Sequence, residues 1–150
     1  MYRPYMYMYM FMCMYSYDKN RVGFFAETLI FDICGGNIDQ SSGYISSPKY
    51  PDSYDLDFTC VLEITASDSH VLEVQVLDLE VEEQINGIRC FDHLTVGDPS
   101  NDPRSQILCG ELSELDPGQL DFTVDTARFV FYSDRFNAMK GFLLWYRGEI

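Results

Sequence analysis

Histidine, tryptophan and basic residues are all scarce in this sequence. Two histidines, one tryptophan and 10 lysines and arginines stand among 150 residues. No C-x-x-C pair is present, which leaves zinc-ribbon and thioredoxin-like readings without support. The chain also has no H-E-x-x-H helix, no G-x-S-x-G elbow and no glycine-rich phosphate loop between a strand and a helix. It carries no N-x-S/T sequon, so N-glycosylation is not expected. Alanine is sparse too, while β-branched and aromatic residues fill the patterned segments, and that balance favours an all-β domain.

Acid is what the chain has in abundance. The formal net charge is −14. Residues 1–33 hold three basic and three acidic residues, so the whole imbalance falls on residues 34–150. Such a surface repels phosphate backbones and anionic lipid, which argues against nucleic acid and against membrane insertion of the domain. Cations and basic protein patches are its natural partners.

Residues 1–17, MYRPYMYMYMFMCMYSY, alternate Tyr and Met in a way no globular core requires. They read as a low-complexity or leader segment. A divergent signal region is the competing reading, with Arg3 as its charged end, although no small-x-small cleavage site follows cleanly. The run is too short and too rich in tyrosine to be a membrane span. Residues 22–33 are apolar and form either a connecting strand or part of that leader. The expected division is 1–33 as leader and 34–150 as the domain proper.

From Cys34 onward the pattern is one of short strands. Cys60, Leu62 and Ile64 alternate with Val61, Glu63 and Thr65, and Leu72, Val74 and Val76 alternate with Glu73 and Gln75. Leu94 and Val96, then Phe122 and Val124, then Phe129 and Phe131, then Phe142, Leu144 and Tyr146 repeat the same period of two. With Gly, Pro, Asn and Asp between the runs, this predicts an all-β, two-sheet antiparallel sandwich. Four cysteines, Cys34, Cys60, Cys90 and Cys109, lie in this region, and Cys13 lies in the leader. Four cysteines in a strand-rich domain point to two disulfides and an oxidising compartment, with three pairings open.

The stretch IRCFDHL places Cys90, Asp92 and His93 close together in sequence. Strand geometry sends Cys90 and Asp92 to one face and His93 to the other, so His93 is badly placed as a base for a Cys90 nucleophile. The other histidine, His70, lies on a different predicted strand. Zinc would need at least three Cys or His ligands brought together, which this set does not supply. Asp92 is a better candidate for chemistry. It falls near a loop carrying Asp78, Glu80, Glu82 and Glu83, and Asp134 follows another aromatic strand. Carboxylates that converge repel unless a cation compensates, and oxygen donors without Cys or His suit calcium. Without that cation, each acid is an ordinary solvated loop residue.

Residues 34–150 resemble a CUB domain. The resemblance runs from Cys34-Gly35-Gly36 through GYISSPKYP at Gly43–Pro51, Tyr54, Cys60, LDLE at Leu77–Glu80 and CFDHLTV at Cys90–Val96. It continues through Leu108-Cys109-Gly110, FYSD at Phe131–Asp134, and Gly141-Phe142 with Tyr146. It implies a jelly-roll-like sandwich with disulfides Cys34–Cys60 and Cys90–Cys109, each worth about 3 kcal/mol in the chain-entropy model. It also implies one calcium ion held by Glu80, Asp92, Asp134 and Asn137, with a backbone carbonyl near Phe136. Tyr54 either orients an acidic ligand through its hydroxyl or simply packs the core.

The sequence departs from the family pattern in one place. Glu80 precedes Cys90 by ten residues, a longer stretch than the family's usual one, and the residue usually found between the cysteine and the aromatic is missing. The longer acidic loop EVEEQINGIR allows Glu82 or Glu83 to replace Glu80. Functionally the resemblance implies a non-catalytic, extracellular protein-binding module that engages exposed Lys or Arg residues of a partner. Secretion or the ectodomain of a membrane protein would suit it. The alternative is a fragment of a larger secreted protease or receptor. Sugar binding, known among the family's sperm-coating members, is favoured by nothing in these residues.

Overall fold

The computed structural model describes residues 6–9, 28–65, 71–83 and 90–149. Cys13, His70 and residues 84–89 of the acidic loop lie outside the described residues, as does most of the leader. Twelve strands are present among the described residues: β1 (Met6–Tyr9), β2 (Thr28–Asp32), β3 (Asn37–Ile38), β4 (Ser42–Ser46), β5 (Phe58–Ile64), β6 (Val71–Val81), β7 (His93–Val96), β8 (Gln106–Leu108), β9 (Gly110–Glu111), β10 (Asp121–Val124), β11 (Arg128–Ser133) and β12 (Gly141–Glu149). One helical turn, Pro117–Leu120, precedes β10.

The strands form two sheets. The seven-stranded sheet runs β1-β2-β4-β12-β6-β10, with β9 also on β6, and the five-stranded sheet runs β3-β5-β11-β7-β8. The period of two explains this directly. Leu62, Val74, Leu94, Val96, Val124, Phe129, Phe131, Phe142, Leu144 and Tyr146 are all fully buried. Their neighbours Val61, Glu63 and Tyr132 face out. Phe131 sits at the centre, with its ring 5.0 Å from Tyr54, 5.6 Å from Phe58 and 5.1 Å from Phe142.

The sheets are mixed, whereas the alternation suggested purely antiparallel pairing. β2 lies parallel to β4, and β3 lies parallel to β5. The chain leaves the first sheet after β2, adds β3 to the second, returns as β4 and crosses again to β5. Each crossover brings a strand back in its original direction. Alternation reports which way side chains face and carries no information about strand direction.

The sandwich also reaches N-terminal of Cys34. Phe31 and Ile33 belong to the same buried core, and Ile30 of β2 is buried as well. Asp32 accepts the Cys34 N–H at 2.8 Å and caps the short turn that leads to the first disulfide. Cys34 is bonded to Cys60 and Cys90 to Cys109, with Cα separations of 4.8 and 5.7 Å. The second bridge ties the chain entering β7 to the junction of β8 and β9. Among the described residues, no helix is long and apolar enough to cross a membrane.

Candidate metal centre

Tyr54 anchors one end of the sandwich. Its ring is buried in the core, edge-on to Phe131, and its N–H donates to the Met139 carbonyl at 3.1 Å. The hydroxyl therefore points toward the sheet ends from a fixed base. It donates to Asp92 Oδ2 at 2.5 Å and accepts the Glu82 N–H at 3.3 Å.

Asp92 is fully buried just before β7. Its N–H donates to the Glu82 carbonyl at 3.2 Å, and its Oδ1 accepts the Asp134 N–H at 2.8 Å. Burial pushes its carboxyl above the usual carboxylate range, and the hydrogen bonds from Tyr54 and Asp134 offset part of that. Asp134 follows β11. Its Oδ1 accepts the Phe136 N–H at 2.9 Å, and its carbonyl accepts the Asp57 N–H at 2.7 Å.

Glu82 completes the cluster. Strand β6 ends at Val81, and there the alternation breaks, because Val81 and Glu82 are both buried. Asn137 Nδ2 donates to Glu82 Oε1 at 2.8 Å from a left-handed backbone conformation (φ 55°), which asparagine tolerates better than most residues. Glu82 Oε2 is buried with no hydrogen-bond partner. Burial raises the Glu82 carboxyl pKa; the Asn137 hydrogen bond opposes this, and the Asp134 and Asp92 charges add to it.

Oxygen atoms of Glu82, Asp92 and Asp134 all lie within 4.8 Å of one another. At that separation and an effective dielectric constant of about 20, each pair of full charges costs roughly 3 kcal/mol. A buried carboxylate oxygen without a donor adds a desolvation cost of about 1–3 kcal/mol or more. A divalent cation relieves both. The grouped ligand atoms are carboxylate oxygens, the kind that suits calcium rather than zinc or copper.

The residues singled out in the sequence divide accordingly. Asp92, Asp134, Asn137 and Tyr54 are brought together. Glu80 is not among the three clustered acids: it stays in β6, opposite Gly141 on one side and Glu111 on the other. The longer loop accounts for this shift. A bridge between Glu83 and Cys90 closes it, so the acid facing Asp92 is Glu82, two residues beyond Glu80. His93 stacks on Tyr132 with ring centroids 5.1 Å apart, on the face away from the cluster. Sequence reasoning missed the turn at Asp55–Asp57. There the Asp55 carbonyl accepts the Ser133 hydroxyl and Asp57 clips the Asp134 carbonyl. Those bonds run mainly through the backbone and leave no side-chain signature.

A family model for the CUB domain matches residues 34–146. The chain belongs to the CUB family. It is 29% identical over 114 residues to a cubilin homolog of Drosophila melanogaster, covering 76% of this chain and 3% of that protein. It is 34% identical over 118 residues to human tolloid-like protein 1, covering 77% of this chain and 11% of that protein. Among solved structures, the MASP-1 CUB2 domain bound to Ca2+ superposes with a TM-score of 0.55 at 22% identity, covering 76% of this chain and 98% of that one. The chain thus spans a small part of the length of the curated relatives it matches. CUB domains are typically extracellular interaction modules within larger proteins and are generally non-catalytic. Where relatives of this CUB domain are proteases, catalysis lies in their other domains.

Proposed function

We propose that this CUB domain is a calcium-dependent, extracellular protein-binding module. Glu82, Asp92 and Asp134, with Asn137, would hold one calcium ion, and the loaded site would accept a Lys or Arg of a protein partner. The observation that carries this reading is Glu82 Oε2, a buried carboxylate oxygen without a donor, set beside two further carboxylates. The Ca2+ bound by the MASP-1 CUB2 domain, a structural neighbour, supports it. The ion would neutralise most of the cluster's charge and brace the ends of β6, β7 and β11. The acids would then accept charge-assisted hydrogen bonds from an incoming cation. Extracellular calcium sites of this kind can be weak, with Kd on the order of 10⁻⁴ to 10⁻³ M.

Calorimetry with calcium on the wild type and three variants tests the site. Glu82→Gln and Asp92→Asn should lose most of the binding heat, whereas Glu80→Gln should keep it. Equal heats in all four proteins would sink the assignment.

The length of the curated relatives favours a second, compatible reading, in which the domain is one module of a larger secreted protease or receptor. A transcript covering the coding sequence beyond Ile150 would decide it.

A further inference from the structure

The outer face of the five-stranded sheet carries a continuous row of β-branched side chains. Val61 of β5 pairs with Val130 of β11, Val130 with Thr95 of β7, and Thr95 with Ile107 of β8. Val61 is 38% exposed and Ile107 54%. In the next row Tyr132 pairs with Thr59 and His93, and its half-exposed ring stacks on His93. The row on the other side sets Glu63 against Arg128, an ion pair at 3.8 Å. A sheet face turned to water usually alternates to polar residues, and Leu62, Leu94, Phe129 and Phe131 on the inner side already supply the core. The outer face of the larger sheet follows that rule, since Trp145 pairs with Gln75 and Gln75 with Asp121. Among the described residues of the three rows, Glu63 and Arg128 are the only charges, and they cancel. A chain of net charge −14 therefore keeps one neutral, largely apolar face.

We propose that this face is self-complementary and joins two copies of the chain in a weak, reversible dimer. Charge selects the occupant. A basic partner gains nothing from a neutral face when acid covers so much of the remaining surface, and an anionic membrane is repelled by the net charge of −14. A second copy meets the face with the same neutral rows and keeps its own excess acid out of the contact. A two-fold axis in the interface plane, along the row or along the strands, lays the apolar row onto its counterpart. Glu63 and Arg128 then enter the contact already paired. Two sheet faces stacked about 10 Å apart repeat between copies the packing that builds the sandwich. Size sets the strength. At ordinary strand spacing and residue rise the three rows cover roughly 300 Å² in projection, at the small end of protein interfaces, where association is transient. The acid cluster stands at the strand ends, outside these rows, so dimerisation does not depend on calcium.

The test is sedimentation velocity of the full chain carrying Cys13→Ser, which removes the one cysteine outside the two disulfides. From about 1 µM to about 300 µM the weight-average sedimentation coefficient should rise from monomer toward dimer, as for a Kd on the order of 10⁻⁵ to 10⁻⁴ M. Raising salt from about 0.05 M to about 0.5 M should tighten the dimer by screening the like charge of the two copies. Val61→Lys and Ile107→Lys should each weaken it roughly a hundredfold, about tenfold for each copy in which the lysine meets the interface. Val61→Thr keeps the branched shape and should weaken it roughly tenfold, which preserves a readout where a lysine variant fails to fold by circular dichroism. Leu77→Lys, at an equally exposed apolar position of the larger sheet, should leave the dimer unchanged. A chain that stays monomeric at every concentration would overturn the proposal. So would a dimer that survives the substitutions at Val61 and Ile107, or one that Leu77→Lys disrupts as strongly. A dimer that dissociates when calcium is chelated would place the contact at the acid cluster and overturn this face as well.

Discussion

The Tyr54 hydroxyl lies 2.5 Å from Asp92 Oδ2, so a core aromatic and a buried carboxylate form one unit. Burial and that contact both hold the phenol well above its ordinary pKa, which keeps it a donor at any physiological pH. Tyr54→Phe removes the donor and leaves the ring packing. It should cost about 1.5–3 kcal/mol of stability, the range for a hydrogen bond to a charged group. It should also weaken calcium binding by roughly tenfold or more, since Asp92 loses the group that orients it. Denaturant titration and calcium calorimetry on the same variant measure the two effects. Unchanged calcium affinity would make Tyr54 a packing residue only.

The sandwich was largely legible in the sequence because burial on one face of a strand imposes a period of two. Leu94, Phe131 and Leu144 lie where that period puts them. The site was legible only in part. Asp92 and Asp134 occupy positions fixed by neighbouring strands β7 and β11, whose residues His93 and Tyr132 face each other in register. Glu82 lies past the end of β6, where no period applies, and a loop of different length moves the inward-facing acid along the chain. Strand direction and the burial of Phe31 and Ile33 were hidden for a similar reason. Both depend on the path of the crossovers, which local pattern does not encode.

Gly141 opens β12 directly against Ser47. Its φ is +97°, and a Cβ added there would lie 1.8 Å from Ser47 Oγ, the atom that accepts the Phe142 N–H at 3.0 Å. Gly141→Ala therefore combines backbone strain, a clash and a broken buried hydrogen bond. A loss of more than about 2 kcal/mol is expected, whereas a glycine replaced by alanine at an unstrained position usually gains stability. Thermal unfolding of the variant checks this, and a melting temperature within a degree of wild type would contradict it.

Asp78 supplies a pH-dependent contribution to stability. Burial alone would raise its pKa, but the Lys140 ammonium at 2.8 Å and the Tyr50 hydroxyl hold it below the usual carboxylate value. A depressed folded-state pKa gives stability that is fully present above the unfolded pKa of about 4 and is lost as pH falls through the folded value. The difference in unfolding free energy between wild type and Asp78→Asn should accordingly be constant from pH 7 to about 5 and shrink below pH 4. Urea titrations across that range measure it. A difference that grows on acidification would show that Asp78 is not the stabilised anion described.

The two disulfides should separate stability from site geometry. Both close loops of comparable length, with sequence separations of 26 and 19, so removing either should cost about 3 kcal/mol through the unfolded chain. Their positions differ. Cys34–Cys60 joins the turn after β2 to β5, away from the acids. Cys90 stands two residues before Asp92 and bridges to Glu83, the residue after Glu82, so its disulfide restrains two of the three clustered carboxylates at once. Replacing Cys90 and Cys109 by serine should therefore weaken calcium binding by roughly tenfold beyond any effect of replacing Cys34 and Cys60. Calcium calorimetry on both double variants, at a temperature where circular dichroism shows each folded, makes the comparison. Equal affinities would mean that the strands alone set the spacing of Glu82 and Asp92.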